Sequence, residues 1–126
     1  MPTPVNPPHF PLNPLYSQGM LAPADARTLY VSGQVGIGSD GRPASGVAEQ
    51  ARLAIANLNA VLEAAGMNAG HIVKMTIYLT DEADLPGFMQ AAGGTLPSPP
   101  PATTLLIVKG LASPELLVEI EVIAVG

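Results

Sequence analysis

Apolar and polar residues alternate with period two over residues 28–37, TLYVSGQVGI, and this alternation predicts a β-strand. The expected inward face consists of Leu29, Val31, Val35 and Ile37. Gly33 interrupts the strand, and a glycine inside a strand indicates a bulge or a close backbone contact. The turn-rich residues 38–46 that follow are predicted to form a loop.

The pattern changes to helical spacing over residues 47–67. Ser45 is a suitable N-cap and Gly66 a suitable C-cap for a helix in this position. The apolar stripe consists of Val47, Ala51, Ala54, Ile55, Leu58, Val61, Leu62 and Ala65. We therefore predict an amphipathic helix that covers one face of a sheet.

The second half of the chain contains three further strand patterns, at residues 71–81, 103–111 and 116–125. In the first of them the expected inward face consists of Val73, Met75, Ile77 and Leu79. Residues 84–96 carry a weak helical pattern that is interrupted by proline and glycine. The order of elements predicts an α+β domain with helices on one face of a mixed sheet.

The N-terminal residues 1–14 contain six of the fourteen prolines of the chain. Because proline lacks a backbone donor and fixes φ, we expect a proline-rich arm that is neither a helix nor a central strand. Regular structure is expected from about Leu15 or Tyr16, so residues 15–126 form the single predicted domain. The arm lacks the features of a signal peptide, and no apolar run is long enough to span a membrane, which favours a cytoplasmic location.

The composition is apolar, with 48% hydrophobic and only 12% charged residues, so we expect that another copy covers part of the surface. The net charge of −5 and the scattering of the bases disfavour nucleic acid as a partner. The five basic residues are Arg27, Arg42, Arg52, Lys74 and Lys109. The absence of cysteine excludes disulfides and thiolate chemistry.

Few residues are candidates for catalysis. His9 and His71 are the only histidines and lack partners at the spacing of metal ligands, so no metal site is expected. Glu119 and Glu121 share one face of the last strand. That face could be exposed or lie at an interface, or it could form a cleft in which desolvation would make a carboxylate a general base. Tyr16 could serve packing or contact a ligand.

Several separated stretches, taken together, resemble the RidA/YjgF family of reactive-intermediate deaminases. The resemblance extends from about Leu15 to Val125, and it depends on the ordered set of stretches more than on any single one. These stretches are YSQG (16–19), VSGQVG (31–36), EQARLAIANLNAVLEAAG (49–66), HIVKMTIYLTD (71–81) and VEIEVIAV (118–125).

The resemblance implies a chorismate-mutase-like fold and a homotrimer in which three sheets form a central barrel with the helices outside. Clefts at the subunit interfaces would then hydrolyse small reactive enamines and imines to ketones and ammonia, without a cofactor. By the same resemblance, Tyr16 is the cleft tyrosine and Glu119 the glutamate associated with the catalytic water. Ser32 and Gly33 would lie near the ligand, and the backbone carbonyl of Leu105 would help to hold the water.

The chain departs from the family at the arginine that binds the substrate carboxylate. The matching residues are Pro101–Thr104, which place Thr103 at the arginine position, and no arginine follows Arg52. Lys109 lies about 20 Å further along an extended strand, too far to substitute in the same cleft. A threonine hydroxyl cannot replace a bidentate, charged donor, so we predict weak or no activity on ordinary 2-imino acids.

Three functions remain after this comparison. In the first, the protein processes a neutral or larger imine or enamine, with Thr103 and Thr104 in place of the charged anchor. In the second, the protein is a trimer that binds a small molecule without catalysis. RNA cleavage is the third, and the acidic composition disfavours it.

Overall fold

The computed structural model describes residues 1–126, and its main sheet has four strands in the order β3-β6-β4-β5. These strands are β3 (Thr28–Val35), β4 (Ile72–Leu79), β5 (Ala102–Ile107) and β6 (Val118–Val125). The central pairs β3–β6 and β6–β4 are antiparallel, whereas β4 and β5 are parallel. The sheet is therefore mixed, as the sequence predicts.

Two α-helices, α1 (Gly46–Ala64) and α2 (Leu85–Ala92), cover one face of this sheet. Along β6, residues 118, 120, 122 and 124 are buried in the core beneath the helices, while residues 119, 121 and 123 on the opposite face are only partly buried. This alternation follows from the pleat of a strand. The predicted α+β architecture is confirmed. Neither helix is both long and apolar enough to cross a membrane.

Helix α1 ends close to its predicted boundaries. Ser45 is its N-cap, although the Ser45 side chain makes no capping hydrogen bond, and Ala65 is its C-cap. Gly66 follows with φ of +73°, the left-handed conformation that glycine adopts without steric cost. The Gly66 amide donates to the carbonyl of Glu63, which closes the helix and turns the chain towards β4.

A β-bulge in β3 changes which residues face the helices. Val31 pairs with Val122 and Gln34 pairs with Ile120, so three steps along β3 match two steps along β6. The bulge that Gly33 predicts is therefore present. Its consequence is a correction to the expected face, because Val35 now pairs with Glu119 and lies on the face opposite to Val31.

The N-terminal arm is extended and also contains a strand. Residues Thr3–Val5 form β1, which pairs antiparallel with β2 (Gly19–Leu21) in a separate two-stranded sheet. Regular structure therefore begins well before Leu15, which corrects the expected starting point. Pro4 is accommodated because a two-stranded sheet consists only of edge strands, where a missing donor can face outwards.

Gln50 forms a buried polar clamp between α1 and the two loops beside it. Its side chain is 1% exposed. The amide nitrogen donates to the carbonyls of Ala44 and Glu115, and the amide oxygen accepts from the backbone of Leu117 at 2.8 Å. Because Leu117 directly precedes β6, this clamp fixes where β6 begins and thus where Glu119 lies.

Candidate functional site

The sheet separates the candidate site residues into two groups on opposite faces. Thr103 pairs with Met75 and Leu105 pairs with Ile77, both of which face the helices. Glu119 pairs with Tyr78, on the face that no helix covers. We call these the helix-covered face and the open face. Within one chain, Glu119 is therefore not close to Thr103.

On the helix-covered face, a cavity of about 230 Å³ lies between the sheet and both helices. Tyr16, Thr103 and Leu105 are part of its wall, so the structure brings these three candidate residues together. Most of the remaining lining is apolar and comes from the core. It includes Ile55 and Leu58 of α1, Phe88 and Met89 of α2, and Met75 and Ile120 of the sheet.

Tyr16 reaches this cavity because the next residue is bound to the start of β5. The Ser17 amide donates to the carbonyl of Pro101 at 3.1 Å, and the Ser17 hydroxyl donates to the carbonyl of Pro100 at 2.6 Å. Ser17 is buried, while Tyr16 remains about one-third exposed. Tyr16 therefore lies at the rim of the cavity, within reach of solvent and of a bound molecule.

The hydroxyl of Thr103 is engaged within its own segment. Its Oγ1 donates to the carbonyl of Pro101 at 3.1 Å. The other threonine of the wall, Thr95, donates to the carbonyl of Ala92 at 2.7 Å. Both threonines thus present no free donor to the cavity, which makes the cavity less polar than the residue types alone suggest.

On the open face, Gly33 and Glu119 are in close contact. A Cβ atom at Gly33 would overlap the carboxylate of Glu119, so only glycine lets this side chain lie across β3. The resemblance assigns both residues to the site, and the structure places them together. Ser32 is exposed beside them.

A second carboxylate of the open face, Glu121, accepts a hydrogen bond from the hydroxyl of Tyr78. This hydrogen bond raises the pKa of the Tyr78 hydroxyl above its ordinary value of 10.0, and burial and the charges of Glu121 and Glu119 raise it further. The tyrosine therefore stays protonated and acts as a donor.

Lys74 is a residue of the open face that the sequence interpretation missed. Its ammonium donates to the hydroxyl of Thr104 at 2.7 Å. The sequence feature that could have indicated it is the alternation of the polar residues Lys74, Thr76 and Tyr78, which places all three on the face of β4 opposite to the inward face. Thr103 and Thr104 thus have different roles. Thr103 lines the cavity, whereas the Thr104 hydroxyl accepts a hydrogen bond from the Lys74 ammonium on the open face.

The two histidines lie apart from both groups. His9 packs edge-on against Phe10 in the N-terminal arm. His71 accepts a hydrogen bond from the backbone of Asn68 through Nδ1, which caps the short 3₁₀ turn before β4. Each histidine thus has a local structural role.

Comparisons with known proteins show the family to which this fold belongs. The family model described as endoribonuclease L-PSP matches residues 11–126. A 2-iminobutanoate/2-iminopropanoate deaminase of Homo sapiens is 44% identical over 71 residues, which cover 55% of this chain and 50% of that protein. The chain thus spans about half of the length of that relative.

Two further matches cover nearly the whole chain. The mitochondrial protein mmf1 of Schizosaccharomyces pombe is 34% identical over 125 residues, which are 97% of this chain and 75% of that protein. The crystal structure of YyfB, a protein of unknown function of the conserved Rid family from Yersinia pestis, superposes with a TM-score of 0.83. It is 30% identical and covers 98% of this chain and 97% of its own.

Proposed function

Because the chain belongs to the RidA/YjgF family, whose model is described as endoribonuclease L-PSP, we propose that it hydrolyses a reactive imine or enamine that lacks a carboxylate. Activity on ordinary 2-imino acids is weak or absent in this proposal. The observation that carries it is that Thr103, which the family resemblance places at the position of the carboxylate-binding arginine, lies in an apolar cavity wall. Its hydroxyl is already bound to Pro101, so it offers no substitute for that charge.

The proposed active site contains residues from two copies of the chain. Tyr16, Thr103 and Leu105 lie on the helix-covered face, whereas Glu119 and Gly33 lie on the open face. A cleft that uses both groups needs the open face of one copy beside the cavity of another. We therefore include in the proposal the homotrimer that the family resemblance implies, in a cytoplasmic protein, and light scattering tests it. A monomer would contradict it.

The chemistry that this site would perform is the addition of water to a carbon–nitrogen double bond. Glu119 would accept a proton from water as the water oxygen bonds to the imine carbon, forming a carbinolamine. Glu119 would return that proton to nitrogen and then transfer the hydroxyl proton of the carbinolamine to the same nitrogen, so that cleavage of the carbon–nitrogen bond releases ammonia and leaves the ketone. Tyr16 would contact the substrate at the rim of the cavity.

The first test is a coupled assay that generates 2-aminoacrylate in the reaction mixture. We expect the protein to accelerate pyruvate release only weakly. We also expect Thr103→Arg to gain activity, because a guanidinium there would bind the carboxylate of the imino acid. Ser39→Arg is the matched control, since it adds the same charge at an exposed turn residue outside both groups. Strong activity of the unchanged protein would contradict the role of Thr103, as would a Thr103→Arg protein without any gain.

A second candidate function is ligand binding without catalysis. It is favoured by one observation, which is that Tyr16 is the only titratable side chain in the cavity wall. Glu119→Gln separates the two candidates once a ligand is known. An enzyme would keep its ligand affinity and lose turnover with this substitution, whereas a binding protein would show no turnover to lose.

RNA cleavage, which the description of the family model suggests, is not the function that we propose. The chain has a net charge of −5, and its five basic residues are scattered along the sequence. Binding of an RNA backbone depends on clustered lysine and arginine. A filter-binding measurement with single-stranded RNA at low salt should therefore show no retention above background.

A further inference from the structure

We propose that the cavity beneath α1 and α2 selects a substrate with an uncharged, aromatic or branched aliphatic group next to its reactive carbon. The inference rests on the proposed function for the reaction, and it adds the class of substrate. It follows from the wall, volume and charge of the cavity, and from the conformation of the threonines in the wall.

The wall of the cavity offers few polar groups to a ligand. Of its nineteen residues, fourteen are hydrophobic. The hydroxyls of Thr95 and Thr103 donate to backbone carbonyls, and so they leave the wall without a free hydroxyl donor from threonine. Tyr16 and Asn59 are then the side chains that can still donate to a ligand. Such a cavity matches a molecule with a large apolar part and one polar end.

The volume of the cavity limits the size of that apolar part. An apolar cavity of about 150 Å³ holds a benzene molecule. The cavity of about 230 Å³ can therefore hold one ring together with a short polar substituent, such as a carbonyl or imine group. Because Tyr16 lies at the rim, the polar end of the ligand would face Tyr16 and the ring would lie against Phe88 and Met89.

The cavity has no cation to balance a carboxylate. No lysine, arginine or histidine is part of its wall. Lys74, which is close in sequence to Met75 of the wall, directs its ammonium to Thr104 on the open face. A carboxylate inside the cavity would lose its hydration without gaining a cationic partner, which is strongly unfavourable. The cavity therefore discriminates against charged keto and imino acids of the same size.

Acetophenone and benzoylformate form a matched pair of stable probes for this discrimination, because a methyl group in the first replaces the carboxylate of the second. We expect acetophenone to bind at least about tenfold more tightly than benzoylformate in calorimetric titrations. Labelled methionine methyl groups locate the site by NMR. Resonances of Met75 and Met89, in the wall, should shift, while those of Met1 and Met20 should not. Equal or tighter binding of benzoylformate would overturn the inference.

A pair of glycine variants tests whether the probe occupies this cavity. Gly93 lines the cavity and Gly94 does not, and at both positions an added Cβ would meet no atom within 4 Å. Both residues avoid positive φ, so leucine is sterically compatible with the backbone. Gly93→Leu should weaken acetophenone binding by about tenfold or more, while Gly94→Leu should leave it unchanged. Equal affinity in both variants would place the probe elsewhere and overturn the inference.

The binding experiment and the imine assay can fail separately. Tight, cavity-specific binding of acetophenone without hydrolysis of any imine would contradict the proposed reaction and leave the ligand class standing. Hydrolysis of small imines without acetophenone binding would contradict the ligand class and leave the proposed reaction standing. The probes are ketones, so their binding does not depend on turnover.

Discussion

The two faces of the main sheet carry different kinds of chemistry, although both arise from the same four strands. The helix-covered face holds a core and an apolar cavity, whose two threonine hydroxyls donate to backbone carbonyls. The open face holds two carboxylates, a tyrosine and a lysine; Tyr78 donates to Glu121, and Lys74 donates to Thr104. In the proposed function, the first face would select a ligand by shape and apolar character, whereas the second would supply groups that can move protons.

This difference is also the reason why the proposed site takes residues from two chains. The candidate water-activating residue Glu119 and the cavity residue Thr103 point to opposite sides of a sheet. Bringing them together takes a second copy, as proposed above. Four substitution experiments can break or sharpen the comparison between the faces.

The largest expected effect comes from two isoleucines of β6 that differ in their faces. Ile120 is 1% exposed beneath the helices, and Ile123 is partly exposed on the open face. Ile120→Ala should reduce the free energy of unfolding by about 3 kcal/mol, since it removes buried methylene groups and leaves a cavity. Ile123→Ala should cost about 1 kcal/mol in the isolated chain. Urea unfolding followed by circular dichroism measures both.

The dependence on protein concentration then identifies what covers the open face. In the proposed trimer, Ile123→Ala should cost more at high protein concentration, where the unsubstituted chain is assembled. The cost of Ile120→Ala should change little with concentration. Equal costs for the two variants at every concentration would show that the faces are equally buried within one chain.

A smaller effect is expected from Gly33→Ala, which acts on the open face alone. The new Cβ would overlap the Glu119 carboxylate, so that side chain must move away from β3. We expect a loss of about 1 kcal/mol or less in stability, because the atoms that the new Cβ would meet belong to a flexible, partly exposed side chain. The proposed turnover should fall while acetophenone binding stays intact, because the cavity lies on the other face. Gly94→Ala is the control, and a fall in probe binding with Gly33→Ala would contradict the separation of the faces.

The pair Tyr78 and Glu121 predicts a dependence on alkaline pH. The pKa of the Tyr78 hydroxyl is raised in the folded protein, so the unfolded chain loses this proton first as pH increases. The stability that Tyr78 contributes is thus complete below pH 10.0 and is lost as pH rises from there through the folded pKa.

Ultraviolet titration of the tyrosines measures this shift directly. One of the three tyrosines should ionise at higher pH than the other two. Glu121→Gln should bring its pKa back towards the ordinary value, because the substitution removes the charge and weakens the acceptor. An unchanged titration curve in this variant would remove Glu121 as the cause.

The smallest effect is expected from Lys74→Met. The hydrogen bond from Lys74 to Thr104 is exposed to solvent, so its loss should change stability by less than about 1 kcal/mol. Thr104→Val should have a similar effect, and the double variant should cost little more than either single variant. A loss of several kcal/mol would mean that the open face contributes to the folding of the chain as strongly as the core does.

The elements of the fold could be predicted from the sequence because their periods differ clearly. The four strands of the main sheet and both helices lie where period-two and helical spacing indicate, within a few residues, whereas β1 and β2 were not predicted. The bulges limited the assignment of faces. Val35 lies on the open face, not on the predicted inward face, because β3 contains an extra residue. In β4, Ile72 is in the core instead of Val73, because the register shifts between Ile72 and Lys74. Periodicity cannot reveal such a shift unless the pairing strand is known.

The candidate site was less accessible from sequence than the fold. The positions of Tyr16 and Glu119 depend on hydrogen bonds between residues that are distant in sequence, such as those from Ser17 to Pro100 and from Gln50 to Glu115. These contacts join segments more than sixty residues apart, and nothing local indicates them. The polar pattern of Lys74, Thr76 and Tyr78 was visible, but their partners on β5 and β6 became evident only with the strand order.

The prolines before β5 have a consequence for aggregation. Strand β5 is at an edge of the sheet, and Leu106 and Ile107 near its end are 45% and 47% exposed. An open apolar edge invites pairing with other chains. Pro99–Pro101 have no amide hydrogen to donate, and Ser17 already binds two of their carbonyls. A foreign strand therefore cannot extend past Ala102, which confines misassembly to the last few residues of the edge.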